Sequence, residues 1–273
     1  MLDLTAAQDR RVQYGAHIPL CWAADSSVIF FPAADHGTRH VYCVEPRAQG
    51  AITQVTHGPR QLTHFHVSSL AAAAAAAPDA MVVVAAMKDE CAPAQLVRFD
   101  FSSVGGGADS GSGEQGKDVR LTDHNAAVRA TVATARAESF AYQTHDGQTL
   151  EGWLYRPLPQ TPQQPAAAAP MNEAETAEKW PTILQVHGGP HGMHGYLFNA
   201  QVQALAGAGY AVLCLNPRGS NGYGQAFSSG CVNDWGGGDY KDLMAGLDAA
   251  IASPSWDIDP QRLGVCGGSY GGK

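Results

Sequence analysis

Gly264-Val-Cys-Gly-Gly-Ser-Tyr-Gly-Gly-Lys273 is the stretch on which the reading of this chain turns. It contains a G-x-S-x-G match, Gly267-Gly268-Ser269-Tyr270-Gly271, the pattern of a nucleophile elbow. The apolar run Leu263 to Cys266 ahead of it predicts a short strand. The glycines permit the tight turn that lifts a serine hydroxyl above a sheet. A plain serine in a glycine-rich turn is the alternative, and the strand and the flanking glycines weigh against it. In such elbows the acid and then the histidine follow the serine along the chain, and the sequence runs only to Lys273. The expectation is therefore a nucleophile without its base: a fragment, inactive and poorly folded as a separate molecule.

Working back from the elbow, buried strands alternate with helices. Thr182-Ile-Leu-Gln-Val186 and Ala211-Val-Leu-Cys-Leu215 are continuous apolar runs, each ending in a polar, glycine-rich segment. Helices are predicted across Phe198 to Ala206 and about Asp239 to Ala252. The second carries Leu243, Met244, Leu247, Ala250 and Ile251 on one face and Asp239 near its start, where the helix dipole favours a carboxylate. Strands of this kind between helices imply a parallel α/β sheet. Phe140-Ala-Tyr-Gln and Leu150 to Tyr155, flanking His145-Asp-Gly147, read as a β-hairpin.

The front of the chain reads as strands alone. Val28 to Phe31, His40 to Val44 and Ile52 to Val55 form one group; Met81 to Val84, Gln95 to Phe99 and Val119 to Thr122 form another. Gln54-Val-Thr-His-Gly58 echoes Arg120-Leu-Thr-Asp-His124, so the groups read as two consecutive four-stranded propeller blades. Two blades do not close a ring. The polyalanine run Leu70 to Ala77, the Gly/Ser tract Ser102 to Gly116 and the Pro/Gln/Ala stretch Pro157 to Lys179 read as loops. The division expected is 1–125, partial β-propeller, and 126–273, the start of an α/β domain.

Bulk properties narrow the chemistry. With 45% hydrophobic and 15% charged residues the composition is globular, and a net charge of -8 leaves no basic footprint for nucleic acid or anionic membranes. No apolar stretch is long enough to span a bilayer, and Met1-Leu-Asp-Leu-Thr shows no secretory signal. The six cysteines form no C-x-x-C pair and suit a reducing, cytoplasmic setting. Three glycine-rich segments invite a site. His187-Gly-Gly-Pro-His-Gly-Met-His194 reads either as an oxyanion loop or, less well, as a metal site. Arg218 in Asn216-Pro-Arg-Gly219 reads as a loop brace or as a group orienting a substrate carbonyl. Trp235-Gly-Gly-Gly-Asp239 lacks the Lys-Ser/Thr of a phosphate loop and reads as a helix entry.

Taken together, Gln185 to Gly192, Gly209 to Gly224, Asp234 to Met244 and Arg262 to Gly272 resemble the prolyl oligopeptidase family of serine peptidases, specifically its acylaminoacyl-peptidase branch. The order and spacing of these segments carry the resemblance. It implies an α/β hydrolase, present here up to its nucleophile elbow and preceded by propeller blades. It implies Ser269 as the acylated nucleophile, with the N–H groups of Gly189 and Tyr270 as the oxyanion hole. Short oligopeptides would be the substrates, gated by the propeller, with no organic cofactor and no metal. A carboxylesterase of the same fold and a non-catalytic truncated product are the alternatives. No pattern in the sequence assigns an oligomeric state.

Overall fold

The computed structural model describes residues 9, 20–47, 52–69, 80–102, 118–159 and 179–272. The polyalanine run, the Gly/Ser tract after Ser102, residues 160–178 of the Pro/Gln/Ala stretch and the first five residues lie outside them. The chain divides into two units, one of residues 1–89 and 93–124, the other of 90–92 and 125–273.

The first unit is a sheet of eight strands: β1 (Cys21–Trp22), β2 (Ile29–Asp35), β3 (Thr38–Val44), β4 (Ile52–Gln54), β5 (Gln61–Ser69), β6 (Ala80–Lys88), β7 (Gln95–Ser102) and β8 (Val119–Arg120). Two antiparallel groups, β1-β2-β3-β4 and β5-β6-β7-β8, meet through one parallel pair, Arg39 opposite Gln61. The echo seen in the sequence has a matching hydrogen-bond pattern. In the first group Val55 N donates to Val41 O and Val41 N to Thr56 Oγ1; in the second Leu121 N donates to Leu96 O and Leu96 N to Thr122 Oγ1. Each threonine follows the fourth strand of its group and continues its pairing with the third. Strand alternation sorts the side chains. Phe30, Val41 and Cys43 enter a core with Leu62, Val83 and Phe99, whereas Phe31, Tyr42 and Val44 pack on the opposite face.

The second unit is a mixed five-stranded sheet with helices on both faces. In chain order it comprises α1 (Ala126–Thr131), β9 (Ala137–Gln143), β10 (Thr149–Tyr155), β11 (Trp180–Val186), α2 (Ala200–Gly207), β12 (Ala211–Leu215), α3 (Gln225–Ser229), α4 (Gly238–Ala252) and β13 (Ile258–Gly267). A 3₁₀ turn, Ser269–Gly272, ends the described chain. The strand order is β13-β11-β12-β10-β9, with β11 parallel to both β12 and β13, and the β9–β10 hairpin antiparallel at the other end.

β12 is apolar throughout because it is covered on both sides. Val212 and Cys214 face Val202 and Ala206 of α2; Ala211, Leu213 and Leu215 face Leu247 and Ala250 of α4. Each fully buried leucine here contributes about 1.5–3 kcal/mol. Asn199 caps α2, its side chain accepting from Gln201 N and Val202 N. α4 lies close on the sheet at Gly246, where an added Cβ would stand 2.6 Å from Leu215 Cδ1 and 2.8 Å from Tyr142 Cζ. β13 forms an edge of the sheet, and Val265 on it is 71% exposed.

Candidate active site

The three parallel strands β11, β12 and β13 each run into a loop at their carboxyl ends, the side on which open α/β sheets carry their ligands. These loops, 187–199, 216–224 and 267–272, hold all three residues that the sequence singles out.

Ser269 follows β13 at φ +58° and is exposed. A side chain other than glycine in that left-handed region is uncommon and marks a constrained turn. It is the backbone state expected of a serine held above a strand-to-helix corner. Two glycines make the corner possible. A Cβ on Gly267 would lie 2.2 Å from Gly271 O, and one on Gly271 would lie 2.3 Å from Val186 O. The turn therefore packs backbone to backbone against the end of β11. Gly271 N donates to Gly268 O across it (3.0 Å).

Gly188, the first glycine after His187, faces that corner: a Cβ built on it would stand 3.2 Å from Gly268 O and 3.6 Å from Ser269 Cβ. Gly189 follows at φ +139°, joined to Pro190 by a cis peptide. The β11 loop thus brings glycine backbone beside the serine. Tyr270, next after Ser269, turns its ring onto the edge of Trp235 (centroids 5.4 Å apart, planes at 83°), and its hydroxyl donates to Asp239 Oδ2 in the first turn of α4.

The β12 loop braces the β11 loop. Asn216 is fully buried; its Oδ1 accepts from His194 N (2.8 Å) and its Nδ2 donates to His194 O (3.1 Å) and Tyr223 Oη (2.9 Å). Tyr223 Oη in turn donates to Glu151 Oε2 at 2.9 Å. Asn221 N donates to Gly192 O (2.9 Å), Asn221 Nδ2 to His191 O, and His191 Nδ1 to Gly219 O (2.8 Å). Arg218 anchors this loop on α4. Its backbone N, Nε and Nη2 all donate to the Asp242 carboxylate at 2.7–2.9 Å, and Nη2 also reaches Asp146 at 3.0 Å. Of the two roles the sequence leaves open for Arg218, the structure has it as a brace.

The three histidines of the β11 loop are engaged separately. His194 is buried and donates from Nε2 to Gln185 O (3.0 Å); His187 Nε2 lies 2.9 Å from Ser220 Oγ; His191 is taken by Gly219. Burial, with His187 close by, pushes the His194 imidazole down to about 3, and burial also lowers His187. Both rings are neutral near pH 7, and they stack edge to face at 5.1 Å. The one group of metal-ligand type among the described residues is His145, Asp146 and Asp242, whose two carboxylates are already bonded by Arg218. Trp235-Gly-Gly-Gly-Asp239 is the entry to α4, with Asp234 Oδ2 accepting from Gly238 N (2.8 Å). A cleft of about 470 Å³ lies between the β11 loop and this entry, lined by Pro190, His191, Cys231, Val232, Asn233 and Trp235.

Sequence reasoning singled out Ser269 through the glycine pattern of its elbow, and Gly189 and Tyr270 through the family resemblance. It missed the Asp239–Tyr270 contact, reading Asp239 only as a carboxylate at a helix start. It also missed Glu151 and Tyr223 behind Asn216. Both are long-range pairings that no local pattern encodes.

The chain is 33% identical over 258 residues to an uncharacterized peptidase, YuxL, of Bacillus subtilis (strain 168), a match covering 94% of this chain and 33% of that protein. It is 35% identical over 129 residues to the dipeptidyl aminopeptidase BIII of Pseudoxanthomonas mexicana, covering 47% of this chain and 17% of that one. Among solved structures, an acylaminoacyl peptidase in complex with Z-Gly-Gly-Phe-chloromethyl ketone shares the fold at a TM-score of 0.73 and 24% identity, over 98% of this chain and 35% of that one. The chain thus spans about a third of the length of the first of these relatives and of that structure. Residues 196–273, from the β11 loop through the elbow, match the model of the Prolyl oligopeptidase family, and over that stretch the chain is similar to its members.

Proposed function

We propose that Ser269 is the nucleophile of a serine peptidase that cleaves short peptides by acyl transfer, of the acylaminoacyl or dipeptidyl type. The observation that carries this reading is an exposed serine at φ +58°, locked between glycines at the carboxyl end of a parallel strand. In this reading Ser269 Oγ attacks a peptide carbonyl and forms an acyl-enzyme, which water then hydrolyses. The N–H groups of Tyr270 and Gly189 receive the oxyanion, each worth about 10²–10³ in rate when well placed. The glycine approach of the β11 loop to Ser269 and the brace from the β12 loop support that role. The unit of residues 126–273 is read as the start of an α/β hydrolase domain. Residues 1–125 are read as two propeller blades, an assignment supported by the repeated threonine closure of each four-stranded group. None of the six cysteines forms a disulfide, which suits a cytoplasmic setting. Among the described residues no helix is long and apolar enough to cross a membrane.

His187, His191 and His194 are each held by other partners and precede Ser269, whereas the serine–acid–histidine order puts the base after the nucleophile. The test is reaction of the full-length gene product with a fluorophosphonate, followed by peptide mapping. Label on Ser269 and none in Ser269→Ala is the expected result; full labelling or hydrolysis by Ser269→Ala refutes it. Parallel assays with N-blocked aminoacyl peptides, free-amino dipeptidyl substrates and short-chain esters set the substrate class, and turnover of esters alone overturns the peptidase reading.

A further inference from the structure

We infer that Asp239 is a positioning residue that holds the elbow in its working geometry through the side chain of Tyr270. This rests on the assignment of Ser269 as nucleophile and of the Tyr270 N–H as an oxyanion donor. The turn that carries Ser269 rests on the end of β11 through backbone packing alone. It is a single 3₁₀ turn, closed onto the strand end by Gly271 N to Gly268 O; its glycines contribute no side chains, and the serine sits in a sparsely populated backbone region. Tyr270 is the residue of this turn that reaches a distant element by side-chain hydrogen bond: its hydroxyl donates to Asp239 Oδ2, 31 positions back in the chain.

Asp239 is suited to hold it. The carboxylate is 2% exposed, it lies in the first turn of a 15-residue helix where the dipole favours a negative charge, and its Oδ1 accepts from Tyr240 N at 2.9 Å. Among the described residues no lysine, arginine or histidine pairs with it, so the tyrosine hydroxyl is what satisfies the second oxygen of a buried acid. Trp235 sets its edge to the same ring 5.4 Å away, four residues before Asp239. Hydrogen bond and ring contact together fix the direction of the Tyr270 side chain, and through its Cα the direction of its N–H. An oxyanion donor acts only at about 2.7–3.1 Å from the developing charge, and displacements of about 1 Å cost up to about 100-fold.

The test uses the full-length gene product with Tyr270→Phe, Asp239→Asn and the double variant. Each leaves the Tyr270 backbone N–H in place. The expected result is a 10- to 100-fold fall in kcat and in the rate of fluorophosphonate labelling for each single variant, with KM within about twofold of the parent. The double variant is expected to be no slower than the slower single one, as for two residues acting through one contact. Tyr240→Phe, which removes the neighbouring hydroxyl, serves as a control and is expected to match the parent. Wild-type labelling rates in both single variants, additive losses in the double variant, or a raised KM at unchanged kcat would each overturn the positioning role. Wild-type hydrolysis by Ser269→Ala in the same assay overturns instead the nucleophile assignment on which this inference stands.

Discussion

Replacing Arg218 by methionine is expected to destabilise the α/β unit by about 3–5 kcal/mol. Asp242, fully buried in α4, accepts hydrogen bonds from Arg218 N, Nε and Nη2 at 2.9, 2.8 and 2.7 Å. Methionine keeps the backbone bond and much of the aliphatic stem that packs against Gly238, so the loss isolates the two charged bonds. At about 1.5–3 kcal/mol for a hydrogen bond to a charged group, they sum to roughly the 3–5 kcal/mol measured when one partner of a buried ion pair is removed. The rim contact to Asp146, a side chain 36% exposed, adds less than about 1 kcal/mol. Arg218→Lys should recover only part, because an ammonium cannot span both carboxylate oxygens as the guanidinium fork does. Arg218→Met with Asp242→Asn should recover more than half, since the stranded charge is gone. Urea unfolding followed by the fluorescence of Trp153, buried in this unit, measures all three. A loss below 1 kcal/mol in Arg218→Met, or a double variant no more stable than the single one, would refute the account.

Further outcomes follow from the same geometry. Gly267→Ala would force a Cβ to 2.2 Å from Gly271 O, whereas Gly268→Ala meets nothing within 4 Å; labelling of Ser269 should fall more than 100-fold in the first and stay within a few-fold of the parent in the second, and similar rates in both would count against the packed elbow. His194 titrates at about 3 when folded and about 6.5 when unfolded, so the folded state binds fewer protons. Its stability is complete above pH 6.5 and is lost as pH falls toward 3, by about 1.4 kcal/mol per unit. The urea midpoint should drop between pH 6.5 and 5 in the parent and drop less in His194→Gln; equal slopes would exclude the buried imidazole as the cause.

What the sequence made legible was what local pattern can encode. β12 runs over Ala211–Leu215, the apolar run itself, because a strand covered on both faces has no polar position to blur its ends. α4 begins and ends within a residue of the span its apolar face predicts. β5 was not visible, and its structure gives the reason. A bulge between Leu62 and His64 breaks the alternation, so that Leu62 and Phe65, three apart, enter the same core with half-buried Thr63 and exposed His64 between them. β1, of two residues, is too short to leave a pattern. α1 and α3 bury none of their residues, so no apolar stripe announces them. At the site, glycine spacing marked the loops because close backbone packing admits no other residue. The partners of Arg218 and Tyr270 lie 24 and 31 positions away, and only folding selects them.

Those two distant partners share one element. Asp239 and Asp242 stand three residues apart on α4, on the same side of the helix, and both are buried. Asp239 takes the hydroxyl of Tyr270 from the β13 loop; Asp242 takes the guanidinium of Arg218 from the β12 loop, which in turn grips the β11 loop through Asn216, Asn221 and Gly219. The serine corner and the glycine loop facing it are therefore both referenced to a single turn of helix as well as to the sheet beneath. A sheet fixes where its strands end but leaves the loops beyond them free to drift. A helix turn carrying one carboxylate for each loop removes that freedom, and it does so from outside the cleft, leaving the space around Ser269 open to a substrate. The position of these two acids on one helix is thus a physical reason why a glycine-rich, strained corner can hold its geometry with a single side chain of its own reaching out of the turn.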